Sequence, residues 1–334
     1  MNRSEAAAAP VAAPVPTAGH AGSPRRDDGA LHAMLFAGLV AALLVAPFLA
    51  YPVFVMRVMC FALFASAFNL LLGYGGLLSF GHAAYFGLAS YVCAFAARSW
   101  GVDPVAAILL GTLASAALGA VFGAIAIRRQ GIYFAMITLA LAQIVYFAAL
   151  QAPFTGGEDG IQGVPRGRLL GLVDLAPDAT LYGLVLVVFV AGLLAIYRIV
   201  HSPFGQVLRA IRENESRALS LGYRVDRYRL AVFTMSAALS GLAGATKALV
   251  FQLASLTDVH WTMSGEVVLM TLIGGMGTMF GPTVGALVFM ALEFYLASIG
   301  SWVTVVEGAV FVVCVLAFRE GVVGVLARRL GRPL

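Results

Sequence analysis

Lysine is almost missing from this sequence of 334 residues: Lys247 stands alone among 21 basic side chains, and charged residues together make up only 11%. That excludes a phosphate-binding G-x-x-x-x-G-K-[ST] loop, because Lys247 follows Thr246 and precedes Ala248. ATP is not bound that way by this chain. Cysteine is scarce as well. Cys60, Cys93 and Cys314 all fall inside apolar stretches, which implies ordinary packing and neither a disulfide framework nor a metal site. His20, His32, His82, His201 and His260 are scattered without ligand spacing, so no metal is expected. A G-x-S-x-G motif is absent, and the pair Ser79 and His82 has no second ionisable group nearby to orient the imidazole. Catalysis is therefore not expected, no cofactor is called for, and nothing supports nucleic-acid binding.

What is present is apolar: hydrophobic residues make up 61% and the mean hydropathy is +0.94. The solvent for such a chain is lipid. A hydrocarbon core of about 30 Å takes roughly 20 apolar residues per helix, so an all-α bundle of about eight to ten spans uses nearly the whole chain. The 37 glycines sit inside apolar blocks, where they suit closely packed or interrupted helices. Residues 1–30, rich in Ala and Pro, read as a disordered cytoplasmic tail, residues 31–320 as the membrane domain, and 321–334 as a cytoplasmic C-terminal tail.

Spans are expected at Leu31 to Ala50, Pro52 to Leu72, Phe80 to Ala97, Pro104 to Ile127, Ile132 to Leu150, Leu181 to Val200, Leu230 to Ala254 and Trp302 to Phe318, with an ambiguous stretch from Glu266 to Leu296. Short cytoplasmic loops collect Lys and Arg. With the N-terminus inside, sixteen of the 21 basic residues lie inside, three (Arg98, Arg166, Arg168) lie outside, and Arg57 and Lys247 fall within spans. The arginine-rich C-terminus stays inside only if 266–296 makes an even number of crossings. The break that parity requires is at hand in Ile273-Gly274-Gly275-Met276-Gly277-Thr278-Met279-Phe280-Gly281-Pro282. Either two short crossings or a re-entrant loop satisfies it.

A second glycine-rich break runs from Gly73-Tyr74-Gly75-Gly76 through Ser79, Gly81 and His82 to Gly87. Both breaks carry Phe-Gly followed by a further Gly, a faint internal repeat of the kind in which interrupted helices line a pathway; a plain tight turn between spans is the simpler alternative for the first. Between spans, the loop 201–229 holds Ser202-Pro203-Phe204-Gly205, then Leu208, Arg209, Ile211, Arg212, Glu213 and Arg217, ending at Gly222. It reads as one amphipathic helix capped by Ser202 and stopped by Gly222, with Phe204, Leu208, Ile211 and Leu219 on one face and a Glu213–Arg217 pair on another. Such a helix lies on a membrane surface or docks into a partner, and periodicity does not choose. Polar residues within spans are Asn69, Gln143, Lys247, Gln252, Glu266, Glu293 and Glu307, with Lys247 placed to snorkel outward. The segment Pro153 to Thr180, with Glu158, Asp159, Asp174 and Asp178, is either a solvated outer loop or a contact surface.

Four segments together resemble the permease subunits of branched-chain amino-acid ABC importers, LivM-type: Asn69 to Gly87, Gly131 to Tyr146, Thr155 to Gly163 with Ser202 to Gly222, and Gly274 to Gly285. The likeness runs from about residue 50 to the C-terminus. It implies a multi-pass protein of the bacterial inner membrane that pairs with a second homologous permease, two ATP-binding subunits and an extracytoplasmic binding protein. It also implies that Ser202 to Gly222 couples to an ATPase, and that a mildly polar pathway runs near Tyr74, Ser79, His82, Thr138, Gln143, Thr271 and Thr278. The outer segment 153–180 then becomes the surface for the binding protein. A urea or short-chain amide permease shares this plan. A secondary transporter with broken helices would need a membrane-embedded ion site, and the acidic residues form no cluster; against it and against a channel stands the arginine-rich loop with its capped helix.

Overall fold

A helix with no polar face has to be surrounded, and α2 (Pro52–Asn69) is: nearly every residue from Val55 to Asn69 is buried. In the computed structural model, which describes residues 26–169, 171, 173–296, 305, 306, 308, 309, 312 and 321–324, α2 packs against α6 (Asp178–His201), α9 (Val225–Phe251), α10 (Trp261–Gly274) and α11 (Gly281–Leu296). Next to it, α3 (His82–Ser99), α4 (Pro104–Ala126) and α9 each pack against the other two, while α1 (Arg26–Leu49) and α5 (Ile132–Gln151) are peripheral. Five described helices are long and apolar enough to cross a membrane: Pro52–Tyr74, α4, α5, α6 and α9. Most of the expected final span Trp302 to Phe318, including Glu307 and Cys314, lies outside the described residues, as do most of the N-terminal tail and the arginines from Arg319 onward.

The seam between α3, α4 and α9 is built from small residues, which let backbones meet where lipid offers no hydrophobic drive. A Cβ on Gly244 would sit 2.0 Å from the Phe86 carbonyl oxygen, and one on Gly111 would sit 2.6 Å from that of Ala89. Ser115 Oγ donates to Ala237 O across the same seam at 2.7 Å. Gly244→Ala has backbone, not a flexible side chain, in its way. It is expected to force α3 and α9 apart and to lower unfolding stability in detergent by about 1–3 kcal/mol; melting at the wild-type temperature would refute this contact.

The bundle has two distinct ends. At one, Asp103 caps α4, its Oδ1 accepting from Val105 N at 2.9 Å, and the segment after α5 forms two small sheets. Strand β1 (Ile161–Gln162) pairs antiparallel with β4 (Leu253–Ala254), and β2 (Arg168–Leu169) with β3 (Val173–Asp174). Arg166 Nη1 adds an ion pair to Asp178 at 2.7 Å. This segment is thus a built structure and not a bare loop. At the other end lie α7 (Pro203–Glu213) and α8 (Glu215–Ser220).

Three boundaries differ from the sequence reading. Helix α9 starts at Val225, earlier than Leu230, so the loop 201–229 is mostly helical, and α6 continues to His201. Helix α3 begins only at His82, after an extended run. As parity required, the stretch from Glu266 to Leu296 breaks at its glycines into α10 and α11, antiparallel and in close contact: a Cβ on Gly285 would lie 1.8 Å from the Met270 carbonyl oxygen. Helix α11 runs back along α2 until Glu293 meets Arg57 Nη2 at 2.6 Å. Gly321, with φ of 73°, lies back at the turn, where a Cβ would stand 2.3 Å from Gly275 Cα.

Candidate functional site

Helix α2 ends by widening. Residues Leu70–Tyr74 form a π-turn, a departure from α geometry that frees backbone groups and concentrates at functional positions. Leu77 N then reaches back to Leu71 O at 3.2 Å, Gly76 takes φ of 69°, and the chain runs without helix or strand to Gly81. Here it is clamped. Phe80 N donates to Thr138 Oγ1 of α5 at 3.2 Å, Gly81 N donates to Ser79 Oγ at 3.2 Å, and Ala83 N donates to Ser264 Oγ of α10 at 2.9 Å. His82 opens α3 with its Nε2 at 2.9 Å from Ser236 Oγ of α9. Because Ser236 Oγ donates to Ala67 O at 2.6 Å, the imidazole is the donor in that contact. Ser79 and His82 therefore serve separate partners.

The second break is a glycine turn: Gly275 has φ of 120° and Gly277 φ of 76°. Thr278 Oγ1 donates to Gly275 O at 2.8 Å and accepts from Gly281 N at 3.1 Å, closing the turn on itself. The two breaks touch. Asn69, the last residue of α2, spends both ends of its carboxamide on the second break: Nδ2 donates to Thr278 O at 2.9 Å, and Oδ1 accepts from Gly277 N at 2.9 Å. Only a glycine fits at Gly73 beneath this clamp, since a Cβ would lie 2.2 Å from Asn69 Oδ1 and 2.6 Å from Gly277 N.

The surface helix arrives at the same place. Ser202 caps α7, accepting from Gly205 N at 3.3 Å, Pro203 fills the first turn, and Gly205 allows the tight passage from α6, where a Cβ would meet the Val200 carbonyl oxygen at 2.3 Å. Leu208 and Ile211 are buried, and Phe204 stacks on Tyr228 at 5.4 Å. The flank beside this buried face points to the breaks. Arg212 Nη1 donates to Gly73 O in the π-turn, its side chain running along Gly76, and the Arg209 guanidinium lies 5.1 Å above the Tyr74 ring. A recess of about 390 Å³ is lined by Gly73, Tyr74, Arg209, Arg212, Glu213 and Gly277. One contact chain thus joins α7, the first break and the second.

The expected single helix through Gly222 is two. Asn214 leaves helical geometry and caps α8, its Oδ1 accepting from Arg217 N at 2.9 Å. Glu213 and Arg217 then stand on different helices, and Leu219 is exposed instead of sharing the buried face. The carboxylate that matters is Glu215, gripped by Arg229 Nη1 and Nη2 at 2.9 Å each and by Gln130 Nε2 at 3.1 Å. It ties α8 to α9 and to the α4–α5 turn. Gly222 does end the segment, at φ of 86°.

Lys247 does not snorkel. Its Nζ binds Asp258 Oδ1 at 2.8 Å and Oδ2 at 2.7 Å, with both side chains almost fully buried. Of the other polar residues expected near a pathway, Thr271 Oγ1 donates to Val267 O at 2.8 Å, while Thr138 Oγ1 donates to Ala135 O at 2.9 Å and still accepts from Phe80 N at the first break. Gln143 is half-buried on α5. Gln252 makes the left-handed turn after α9, with φ of 53°. The sequence singled out Lys247, Asn69, Thr278, Arg57 and Glu293 one by one but none of their pairings, and it gave no signal for Asp258, Glu215, Ser236 or Ser264.

The model of the permease component of branched-chain amino acid transport systems matches residues 52–315. This chain belongs to that family. The permease is 27% identical over 329 residues to the high-affinity branched-chain amino acid transport permease LivM of Salmonella typhimurium, covering 89% of this chain and 76% of that protein. It is 26% identical to the LivM protein of Escherichia coli over the same length. A ribose import permease, RbsC of Bacillus subtilis, is 28% identical over 237 residues, covering 66% of this chain and 70% of RbsC. No solved structure matches. The permease is accordingly a multi-pass membrane protein and a transport component, not a member of an enzyme family. Both breaks and α7 lie inside the matched stretch.

Proposed function

We propose that this permease forms, with a second homologous permease, the pathway by which an ATP-driven importer brings branched-chain amino acids across the bacterial cytoplasmic membrane. Of the two ATP-binding subunits, one docks on α7 and α8 of this chain, and an extracytoplasmic binding protein delivers substrate to residues 153–180. The observation that carries this reading is the contact of Arg212 and Arg209 with the π-turn at Gly73 and Tyr74, which joins a surface helix directly to both helix breaks. Arginine placement supports the sidedness: Arg128, Arg129, Arg198, Arg209, Arg212, Arg217, Arg224, Arg227 and Arg229 gather at the α7 end, against Arg98, Arg166 and Arg168 at the other. With both termini at the α7 end, 31–320 is the permease domain. Closure of the ATPases moves α7, and the breaks, being the parts of the spans least bound by helix geometry, respond.

Co-expression with the neighbouring genes and affinity purification in detergent tests this. The wild type is expected to bring down an ATPase. Gly205→Pro with Arg209→Glu, which removes the capped N–H and reverses one charge on α7, is expected to lose it while the permease itself stays extractable. A wild-type permease that purifies without an ATPase overturns the importer reading.

A further inference from the structure

Helix α5 is held to the bundle along a thin line. Its buried residues are Phe134, Ala135, Thr138, Ala142 and Ala149, and a Cβ on Gly81 would stand 2.7 Å from Thr138 O. Toward the α7 end from that contact, α5 and the run after α2 part. A cavity of about 470 Å³ opens there, walled on one side by Leu77, Leu78 and Phe80 and on the other by Ile132, Phe134 and Leu139. All six side chains are hydrocarbon. Leu78, Ile132 and Met136 at its rim are exposed, so the cavity faces the outside of the bundle and not its interior.

Positive charge stands at one end of this apolar slot. The turn between α4 and α5 carries Arg128 and Arg129, both exposed, immediately before Gln130 and the lining Gly131. Neither makes a hydrogen bond or ion pair among the described residues. The carboxylate bonded at that turn, Glu215, is already gripped by Arg229. Across the cavity the stem of Arg212 passes the lining Gly76, where a Cβ would lie 3.0 Å from Arg212 Cγ. No acidic side chain is among the lining residues. We propose that this cavity holds one acyl chain of an anionic phospholipid, whose phosphate is met by Arg128 and Arg129. Each half of such a molecule finds its match: hydrocarbon against an apolar wall at a peripheral helix, and an anionic head against two guanidinium groups that lack a counter-charge, the pattern that draws acidic lipids to membrane proteins. Guanidinium groups also fit phosphate oxygens two at a time. A zwitterionic lipid brings a positive charge of its own and gains less. A second permease could cover the same wall, but it would need acidic residues of its own at this level to answer the arginines. An acyl chain seated here fills the space behind residues 77–80, which lack helix or strand, and so props the first break against α5. The site belongs to the permease whatever the permease carries.

The full-length permease in nanodiscs, carrying a trace of phosphatidylglycerol or phosphatidylcholine with a diazirine on one acyl chain, gives the test. On illumination phosphatidylglycerol is expected to label residues 76–80 and 131–139 well above phosphatidylcholine. Arg128→Gln with Arg129→Gln, two exposed changes on a turn, is expected to lower the phosphatidylglycerol labelling about tenfold or more, the effect of two arginines facing an anionic head group, and to leave phosphatidylcholine labelling within about twofold. Leu139→Trp fills the cavity and keeps both arginines, and should lower labelling of residues 76–80 by either lipid. Equal labelling by the two lipids, unchanged in the double arginine variant, overturns the proposal and leaves only bulk lipid at this face. Absence of phosphatidylglycerol label from both segments overturns it as well. So does a benzoylphenylalanine placed at Met136 that joins a second permease in the co-expressed complex and not lipid, which would make that partner the occupant. Neither ATP hydrolysis nor uptake enters these readouts, so the lipid site and the importer reading stand or fall separately.

Discussion

Asp258→Asn is expected to lower the unfolding stability of the permease by about 3–5 kcal/mol, the penalty for leaving one member of a buried ion pair without its counter-charge. Lys247 and Asp258 are 10% and 3% exposed, and they meet through two oxygens at 2.7 and 2.8 Å. Asp258 Oδ2 also accepts from Ser255 N at 3.3 Å, so the same carboxylate shapes the turn between α9 and α10. Removing its charge leaves the buried ammonium group without a counter-charge, beside the Phe251 ring at 5.5 Å. Lys247→Met combined with Asp258→Asn removes both charges and keeps an oxygen for Ser255, and it should recover most of the loss. The readout is at hand in Cys60 and Cys93, free and buried, whose reaction with a thiol-sensitive dye reports melting. An Asp258→Asn protein that melts with the wild type would show that the pair does not hold this turn.

Asn69→Ala is expected to abolish uptake while leaving the ATPases bound. The carboxamide supplies both a donor and an acceptor to the second break, and its loss leaves Gly277 N–H and Thr278 C=O unpaired at about 1–3 kcal/mol each. Since about 1.4 kcal/mol is tenfold in an equilibrium, the break shifts out of its present geometry in most molecules. Asn69→Asp keeps the acceptor for Gly277 but sets a carboxylate oxygen against the Thr278 carbonyl, so it should fail nearly as badly. Co-purification of ATPase tests α7, and substrate uptake tests the breaks. Retained uptake in Asn69→Ala would disconnect the clamp from transport.

The bundle was legible because its signals are local. Apolar runs of span length, proline at the starts of α2, α4 and α7, and glycine clusters at 73–76 and 274–281 each act within a few residues, and the ends of α7 and α8 at Ser202 and Gly222 follow from the same chemistry. The break at Asn214 was not legible, since Glu-Asn-Glu continues a helix as easily as it interrupts one, and only the cap on Arg217 N decides. Lys247 read as a snorkelling side chain because its partner lies across a turn, at no helical spacing. Thr271 and Thr278 read as pathway polarity, yet each hydroxyl found a nearby backbone carbonyl, Thr271 that of Val267 within α10 and Thr278 that of Gly275 in the glycine turn. Asn69 stood out as a polar residue in a span. What it holds is far along the chain and left no mark nearby.

That separation sets a schedule. The contact from Asn69 to Gly277 spans 208 residues, and ribosomes add roughly 5–20 residues per second, so the first break waits about 10–40 s after its own synthesis before its clamp exists. During that interval Gly73 and the π-turn carry freed backbone groups at the end of a helix already placed in lipid. The nascent chain therefore depends on water, insertion machinery or the α7 arginine, itself made earlier than the second break, to satisfy them until residue 277 emerges.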